Sequence, residues 1–174
     1  MFRAAWGVLL LGLWAGGVAA AQLEVRMHAI SPEGVGEAIG TVTVADGPFG
    51  AIFAPDLTGL PPGEHGFHVH ANASCDPGEK NGKKVAGLAA GGHWDPGNTG
   101  RHEGPVGAGH LGDLPRLLVD AEGRARLPVV APRIREVETL RGHALMIHAG
   151  GDNYSDEPKK LGGGGARIAC GVVE

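Results

Sequence analysis

Short segments in which apolar and polar residues alternate recur along this sequence, and they constrain its fold more than any other feature. Alternation with a period of two is typical of half-buried β-strands, because successive side chains of a strand point to opposite faces. The segments cover residues 23–28, 39–44, 51–57, 66–70, 117–120, 125–130, 144–148 and 167–173. Turn-forming Gly, Pro and Asp residues punctuate the chain between them, as at 46–48 and 61–63. The pattern predicts an all-β fold, an antiparallel sandwich or barrel of about eight strands.

Two other segments are too long and too irregular to be simple turns, and we interpret them as functional loops. The first covers residues 71–114 and is dense in Gly, His, Asp and Pro, and the second covers residues 149–166 and includes four consecutive glycines. Long loops on a small all-β domain are usually either functional or disordered. The histidines of the first loop favour a function.

The N-terminal residues have the pattern of a Sec-type signal peptide. Arg3 precedes a largely apolar run over residues 4–18, and small residues follow at 18–21. We therefore predict a signal peptide over residues 1–21, one mature domain over residues 22–174, and export to the periplasm or beyond. An uncleaved membrane anchor is the alternative, but no basic cluster or polar stop-transfer flank follows the run.

The net charge argues against one class of function, and the two cysteines indicate a disulfide. The formal net charge of −4 argues against nucleic-acid binding, which usually requires a basic surface. After export, Cys75 and Cys170 would meet an oxidising compartment, where paired cysteines usually form a disulfide. Two free thiols or two metal ligands are the alternatives, and the wide separation of the two residues favours the disulfide.

The nine histidines supply the strongest functional signal, and most of them fall between residues 65 and 148. His68 and His70 are two residues apart in a predicted strand, so both imidazoles would point to the same face. His148 ends another apolar segment and adds a third imidazole. A single His-x-His pair or a strand-terminal histidine is common without a metal. Together they predict an imidazole-rich site that suits copper.

A second set of metal-ligating residue types lies within the first loop. His93, His102, His110 and Asp113 follow one another there, with glycines around them that let the backbone bend. Three neutral nitrogens and one carboxylate oxygen suit a four-coordinate zinc ion. The alternative is a solvated His-rich loop, which does not account for the Gly-His pairs followed by an aspartate.

Several motifs resemble those of the copper–zinc superoxide dismutase family. They are residues 65–70 (HGFHVH), the loop over residues 91–115, and residues 161–172 (LGGGGARIACGV). The glycine-rich segments 150–153 and 162–165 resemble the bacterial, periplasmic branch. The resemblance covers about residues 23–173 and implies an eight-stranded antiparallel Greek-key β-sandwich or barrel with two long functional loops.

The resemblance also implies a metal-binding role for each residue of the two sets. The copper ligands would be His68, His70, His93 and His148. The zinc ligands would be His93, His102, His110 and Asp113. His93 would therefore be shared, with its imidazolate bridging the two metals, and every ligand position of the family is present.

The activity that the resemblance implies is the conversion of superoxide to oxygen and hydrogen peroxide. Copper would accept an electron from one superoxide and give one to a second, whereas zinc would be structural. Arg167 matches the arginine beside the copper and would bind the anion, and His93 would help supply a proton. Asp152 matches the carboxylate that links a copper ligand to a zinc ligand, and Cys75 and Cys170 match the family disulfide.

Two other functions would use the same residues. A non-catalytic copper carrier would need neither Arg167 nor a bridging ligand, and a domain that had lost activity would be expected to lack ligands. The remaining histidines, His28, His65 and His143, are predicted to be structural or exposed. The resemblance implies superoxide as the substrate. Bacterial members of the family include monomers and dimers, so the sequence leaves the oligomeric state open, with a homodimer as one alternative.

Overall fold

All the alternating segments overlap strands in the computed structural model, which describes residues 21–174. The strands among these residues are β1 (Gln22–Ser31), β2 (Gly34–Ala45), β3 (Ala51–Leu57), β4 (Gly63–His65), β5 (Phe67–His70), β6 (Gly78–Lys80), β7 (Lys83–Val85), β8 (Leu117–Val119), β9 (Val129–Ala131), β10 (Ala144–His148) and β11 (Arg167–Val172). Short 3₁₀ helices cover Leu88–Ala90, Val137–Leu140 and Leu161–Gly163. The all-β prediction is confirmed, with the count of eight strands approximate. Strands β4, β6 and β7 are short additions that alternation does not reveal.

One curled antiparallel sheet contains most of the strands. Its order is β5-β10-β11-β1-β2-β3-β9, and β4 and β8 form a separate two-stranded sheet. Strand β1 pairs with its sequence neighbour β2 and also with the distant strand β11. Such returns of a late strand to lie beside the first one are typical of Greek-key connectivity. The topology therefore brings β5 and β10, which carry histidines, next to each other at one edge.

Alternation along the strands separates the core from the solvent. On β1, Leu23, Val25 and Met27 are buried, whereas Glu24 and Arg26 are exposed. Phenylalanine rings from β3 and β5 meet edge to face in the core, with their centroids 5.7 Å apart. Burying an aliphatic or aromatic side chain of this size contributes about 1.5–3 kcal/mol relative to leaving it exposed. This apolar core is the rigid body from which both long loops emerge.

The first long loop is tied to the sheet by a disulfide between Cys75 and Cys170, whose Cα atoms are 5.7 Å apart. The predicted disulfide is thereby confirmed, and neither cysteine is free. In the chain-entropy description, closing a loop of this length stabilises the fold by as much as about 4–5 kcal/mol. The loop contains the β6–β7 hairpin and the 3₁₀ helix Leu88–Ala90 before it reaches the second set of predicted ligands.

The second long loop folds back on itself between β10 and β11. The amide of Ala149 donates to the carbonyl of Ala166, and the amide of Gly150 donates to the carbonyl of Gly164, both at 2.7 Å. These bonds close the base of the loop, so its middle portion, including Asp152, lies over the histidines.

The predicted signal peptide falls almost entirely on residues 1–20, which lie outside the described residues. Within residues 21–174, no helix has the length and apolar character needed to cross a membrane.

Candidate metal centre

Four histidines converge where β5 and β10 run side by side. Antiparallel pairing places His68 opposite Met146 and His70 opposite Ala144, and His148 ends β10 beside them. His93 reaches them from the first loop through a bridge to His70. One nitrogen from each ring lies within 4.8 Å of every other, and all four side chains are buried. We refer to His68, His70, His93 and His148 as the four-histidine group.

A second cluster, the His₃Asp group, consists of His93, His102, His110 and Asp113, all of them buried. The Nδ1 atoms of the three histidines lie 2.8, 3.0 and 3.3 Å from one oxygen, Oδ1 of Asp113. Ligand atoms about 2.0–2.1 Å from a tetrahedral zinc ion would be about 3.3 Å from one another. The group therefore has the ligand types and the compactness that a four-coordinate ion requires.

Three buried ring nitrogens in these groups have no hydrogen-bond partner among the described residues: Nδ1 of His68, Nε2 of His93 and Nδ1 of His102. The last lies 3.0 Å from Asp113 Oδ1, but its N–H direction does not suit a hydrogen bond. Leaving a buried polar atom unpaired costs about 1–3 kcal/mol. A metal ion is the partner that such converging lone pairs suit, because imidazole nitrogen binds both copper and zinc well. The residues present therefore fit the two metals.

His93 belongs to both groups, and its two ring nitrogens have different surroundings. Its Nδ1 is 2.8 Å from Asp113 Oδ1, inside the His₃Asp group. Its Nε2 is the unpaired nitrogen, and its ring lies 4.0 Å from the His68 ring, centroid to centroid. A single imidazole thus separates two sites for metal ions.

Asp152 links the two groups from the second loop. Its Oδ2 accepts from Nε2 of His68 at 2.7 Å, and its Oδ1 accepts from Nε2 of His102 at 2.8 Å. The amide of Tyr154 also donates to Oδ1, at 2.7 Å. These contacts fix which nitrogen of each ring is left for a metal, a common function of carboxylates around metal-bound histidines.

Electrostatics keep the four-histidine group neutral near pH 7. Burial lowers the pKa of His68 and His70 well below the usual histidine value, and the neighbouring His93 adds to the effect. Burial also lowers the pKa of His148, to about 4, and lowers the pKa of His93 in spite of its contact with Asp113. Because a metal binds the neutral imidazole, these shifts prepare the rings for coordination.

His102 and the two aspartates around it behave in the opposite way. Burial alone would lower the pKa of His102, but its contacts with Asp113 and Asp152 outweigh burial and raise the pKa to about 9. Burial would likewise raise the pKa of both carboxyl groups, yet their histidine contacts hold it well below the usual value. Two ionised carboxylates therefore face this region, and an incoming cation would displace the proton from His102.

Backbone carbonyls orient the histidines of the four-histidine group. Nδ1 of His70 lies 2.9 Å from the carbonyl of Gly91, and Nδ1 of His148 lies 3.2 Å from the carbonyl of Gly165. His65 lies outside both groups but contacts the backbone of one of their members: its Nδ1 is 2.7 Å from the carbonyl oxygen of His148. The other two histidines, His28 and His143, also lie outside both groups.

Arg167 lies next to the four-histidine group, where it pairs with His148 across β10 and β11. Its Nη1 donates to the carbonyl of Gly87 and its Nη2 donates to the carbonyl of Gly91, the latter at 2.6 Å. Burial lowers the pKa of Arg167, yet an arginine side chain stays charged in proteins. Besides burial, its charge contributes to the lowered pKa of His70 and His148. The guanidinium is thus a fixed positive charge beside the four-histidine group.

Together the fold and the site define a class: an all-β metalloprotein with two adjoining histidine-rich sites that share one imidazole. Comparison with known proteins agrees. The copper/zinc superoxide dismutase (SODC) family matches residues 38–173. Superoxide dismutase [Cu-Zn] of Escherichia coli strain K12 is 55% identical over 158 residues, which is 91% of each chain.

Solved structures give the same result. Cu/Zn superoxide dismutase from Brucella abortus is 53% identical, with a TM-score of 0.87 over 88% of this chain and 100% of the other. The monomeric copper, zinc superoxide dismutase from Salmonella enterica is 56% identical, with a TM-score of 0.80 over 88% of this chain and 100% of the other. The chain therefore belongs to the copper/zinc superoxide dismutase family. It is an enzyme of that class, with copper and zinc as its cofactors.

Sequence reasoning missed the reason why a glycine is needed at position 162. Gly162 has a φ of 67°, and a Cβ there would overlap Asp152 Oδ1 and lie 2.8 Å from His102 Nε2. The run of four glycines was a signal, but nothing in the sequence shows that its first member lies against the carboxylate. The side-chain-free surface of Gly162 lets the second loop close over the link between the two groups.

We predict that Gly162→Ala disrupts this link. Gly100→Ala is the matched control, because Gly100 also has a positive φ of 61° but open space around its Cβ position. Overpacking typically costs about 1–3 kcal/mol. Urea unfolding of the metal-free proteins should therefore show Gly162→Ala to be less stable than the control by about that amount. Equal stability of the two variants would contradict the role given to Gly162.

Proposed function

We propose that this chain is an exported superoxide dismutase in which the four-histidine group binds copper and the His₃Asp group binds zinc. The observation that carries the proposal is the position of His93, which presents Nδ1 to one group and has Nε2 left for the other. The all-imidazole set suits copper, and the set with a carboxylate suits tetrahedral zinc. The substrate is superoxide.

The overall reaction converts two superoxide ions and two protons to one oxygen and one hydrogen peroxide. Bound copper supplies reversible one-electron transfer for both halves of this reaction, whereas zinc has no redox chemistry. The protein must hold the copper ligands in place, bind a small anion beside them, and deliver protons. Each of these tasks has a candidate side chain.

Arg167 binds the anion. Its guanidinium is held by two carbonyl oxygens rather than by a carboxylate, so its positive charge is not neutralised by an acidic partner among the described residues. A planar fork of donors suits an oxyanion, and a local positive charge attracts one even though the chain has a net charge of −4. The carbonyls of Gly87 and Gly91 keep this charge beside His70 and His148.

His93 and Asp152 divide the remaining tasks. Nε2 of His93 has no hydrogen-bond partner within residues 21–174, so this atom can hold a proton when it is not bound to metal and donate it to the reduced substrate. Asp152 holds Nε2 of His68 and Nε2 of His102. It thereby leaves Nδ1 of each ring for metal binding and keeps the distance between the two groups constant.

The first test combines metal analysis with a dismutation assay on the purified mature protein. We expect about one copper and one zinc per chain, with activity lost when copper is removed and recovered when it is returned. His148→Ala is expected to lose copper and activity but retain zinc, because His148 belongs only to the four-histidine group. Bound copper with no activity would instead favour a copper carrier.

The second test concerns Arg167. We expect Arg167→Ala to retain copper but to lower kcat/KM by about tenfold or more, since local fields change the arrival rate of charged substrates by about 10–10³. Added salt should slow the wild-type enzyme more than the variant, because screening removes an attraction that the variant already lacks. Arg167→Lys, which retains the charge, should lose less. An unchanged rate in Arg167→Ala would exclude the steering role.

Export rests on the apolar N-terminal run and on the Cys75–Cys170 disulfide, which suits an oxidising compartment. We expect the protein recovered from the periplasm of a Gram-negative host to begin near Ala21 or Gln22 when its N-terminus is sequenced. Recovery of the intact N-terminus in the membrane fraction would support the membrane-anchor alternative. Homodimer formation stays a prediction, which sedimentation of the purified protein would test.

A further inference from the structure

Arg133 holds the backbone of the His₃Asp group from outside the loop that carries the group. Its Nη2 donates to the carbonyl of Gly109 at 2.8 Å, and its Nη1 donates to the carbonyl of His110 at 3.0 Å. Arg133 lies in the segment between β9 and the 3₁₀ helix Val137–Leu140. Strand β9 forms one edge of the seven-stranded sheet, whereas β5, from which the ligand loop starts, forms the other edge. One planar side chain therefore binds two successive peptide carbonyls at a histidine of the metal centre.

Among the described residues, the rings of His93 and His110 have Asp113 as their only hydrogen-bond partner, and the His110 contact is the longer of the two, at 3.3 Å against 2.8 Å. His70 and His148 are oriented by backbone carbonyls, and His68 and His102 are oriented by Asp152. The only partner recorded for the His110 ring is Asp113, a fellow member of the group, at 3.3 Å. Among the described residues, nothing outside the group orients this ring directly. Its position depends on how its backbone is held.

The backbone around His110 is held from three directions, and Arg133 supplies one of them. The amide of His110 donates to the carbonyl of Arg101 at 2.9 Å, which is a tie within the loop itself. Two residues further on, the carbonyl of Gly112 accepts from the amide of Val69 on β5 at 2.9 Å. Arg133 is the contact that attaches this turn to the segment following β9. Apart from Arg133, the His110 carbonyl has only a long contact within its own turn among the described residues, from the amide of Asp113 at 3.5 Å.

The chemistry of Arg133 suits a side chain that holds two backbone carbonyls at once, an arrangement that we call the clamp. Other arginines of the described chain, such as Arg116, Arg124 and Arg141, lie in ion pairs with carboxylates, whereas no carboxylate is recorded within ion-pair distance of Arg133. Its two charged donors are therefore directed at neutral carbonyl oxygens, and charge-assisted hydrogen bonds are the stronger kind. A lysine would carry the charge but lacks the rigid fork that reaches two carbonyls at once.

We propose that Arg133 is a positioning residue of the zinc site, which holds the backbone of His110 so that its Nδ1 stays within reach of the ion. The inference rests on the assignment of the His₃Asp group to zinc made above. Residues that orient metal ligands typically change metal affinity by about 10- to 100-fold when they are replaced. The clamp would act on zinc retention and on the geometry at zinc, with only an indirect effect on the copper chemistry.

The test compares Arg133→Ala and Arg133→Lys with the wild-type holoenzyme. Zinc affinity is measured by competition with a chromophoric chelator, and the geometry at zinc is followed by the visible absorption of cobalt(II) substituted for zinc. We expect about 10- to 100-fold weaker zinc binding and an altered cobalt spectrum in Arg133→Ala. Arg133→Lys should be intermediate, since it keeps the charge but not the two-carbonyl fork.

Arg135→Ala is the matched control, because Arg135 is an exposed arginine two residues away, with no side-chain hydrogen bond or ion pair recorded. It should bind zinc like the wild type. If Arg133→Ala also does so, with an unchanged cobalt spectrum, the inference is wrong. The inference is equally wrong if Arg133→Ala lowers the melting temperatures of the zinc-free and zinc-bound proteins by the same amount, since the contact is then purely structural.

A further variant separates this inference from the proposed function. His110→Ala removes a ligand, so it should weaken zinc binding at least as strongly as Arg133→Ala. If His110→Ala weakens binding and Arg133→Ala does not, the clamp alone is refuted. If neither variant affects zinc binding, the assignment of the His₃Asp group to zinc fails, and the role of Arg133 fails with it.

Discussion

The antiparallel pairing of β5 with β10 is the constraint on which the rest of the metal centre depends. It places the two histidines of β5 beside His148 at the end of β10 and directs them toward the loops. Phe67 and Val69, the alternate residues of β5, join the apolar core. Because side chains alternate with a period of two, a shift of one residue would exchange these sets. It would bury imidazoles in the core and expose phenylalanine to the loops, so the core and the site enforce the same register.

The loops close over this strand pair through polar contacts in which each aspartate binds more than one histidine. Asp152 occupies one nitrogen of His68 and one of His102, and Asp113 gathers the three histidines of its own group. Three buried nitrogens still have no hydrogen-bond partner in the part of the chain that the structure describes. Each would cost about 1–3 kcal/mol if it stayed unpaired, so metal binding also stabilises the loop fold. Cofactor binding and loop structure are therefore coupled, as in other proteins whose metal ligands lie on loops.

A disulfide and several hydrogen bonds hold the first long loop against the rest of the fold, which fixes the positions of its metal ligands. The disulfide joins the first loop to β11, three residues beyond Arg167, and Arg167 itself holds two carbonyls of the same loop. Arg133 binds the loop again near His110. The glycines that let the loop bend would otherwise make it mobile, because glycine restricts the backbone least. The arginines and the disulfide offset that freedom at separate points along the loop.

Alternation and residue chemistry are local properties of the chain, so the sequence alone predicts the main strands, the His-x-His pair and the kinds of ligand available. The sequence favours the disulfide over free thiols or metal ligands, and the structure confirms it. The resemblance to a known family added the sharing of His93 and the link through Asp152. Three features become visible only in the folded protein: which nitrogen of each ring is left for a metal, why Gly162 cannot carry a side chain, and the contact of Arg133 with the backbone of His110. These features join residues tens of positions apart, such as His102 and Asp152, and no local pattern records which distant groups folding will bring into contact.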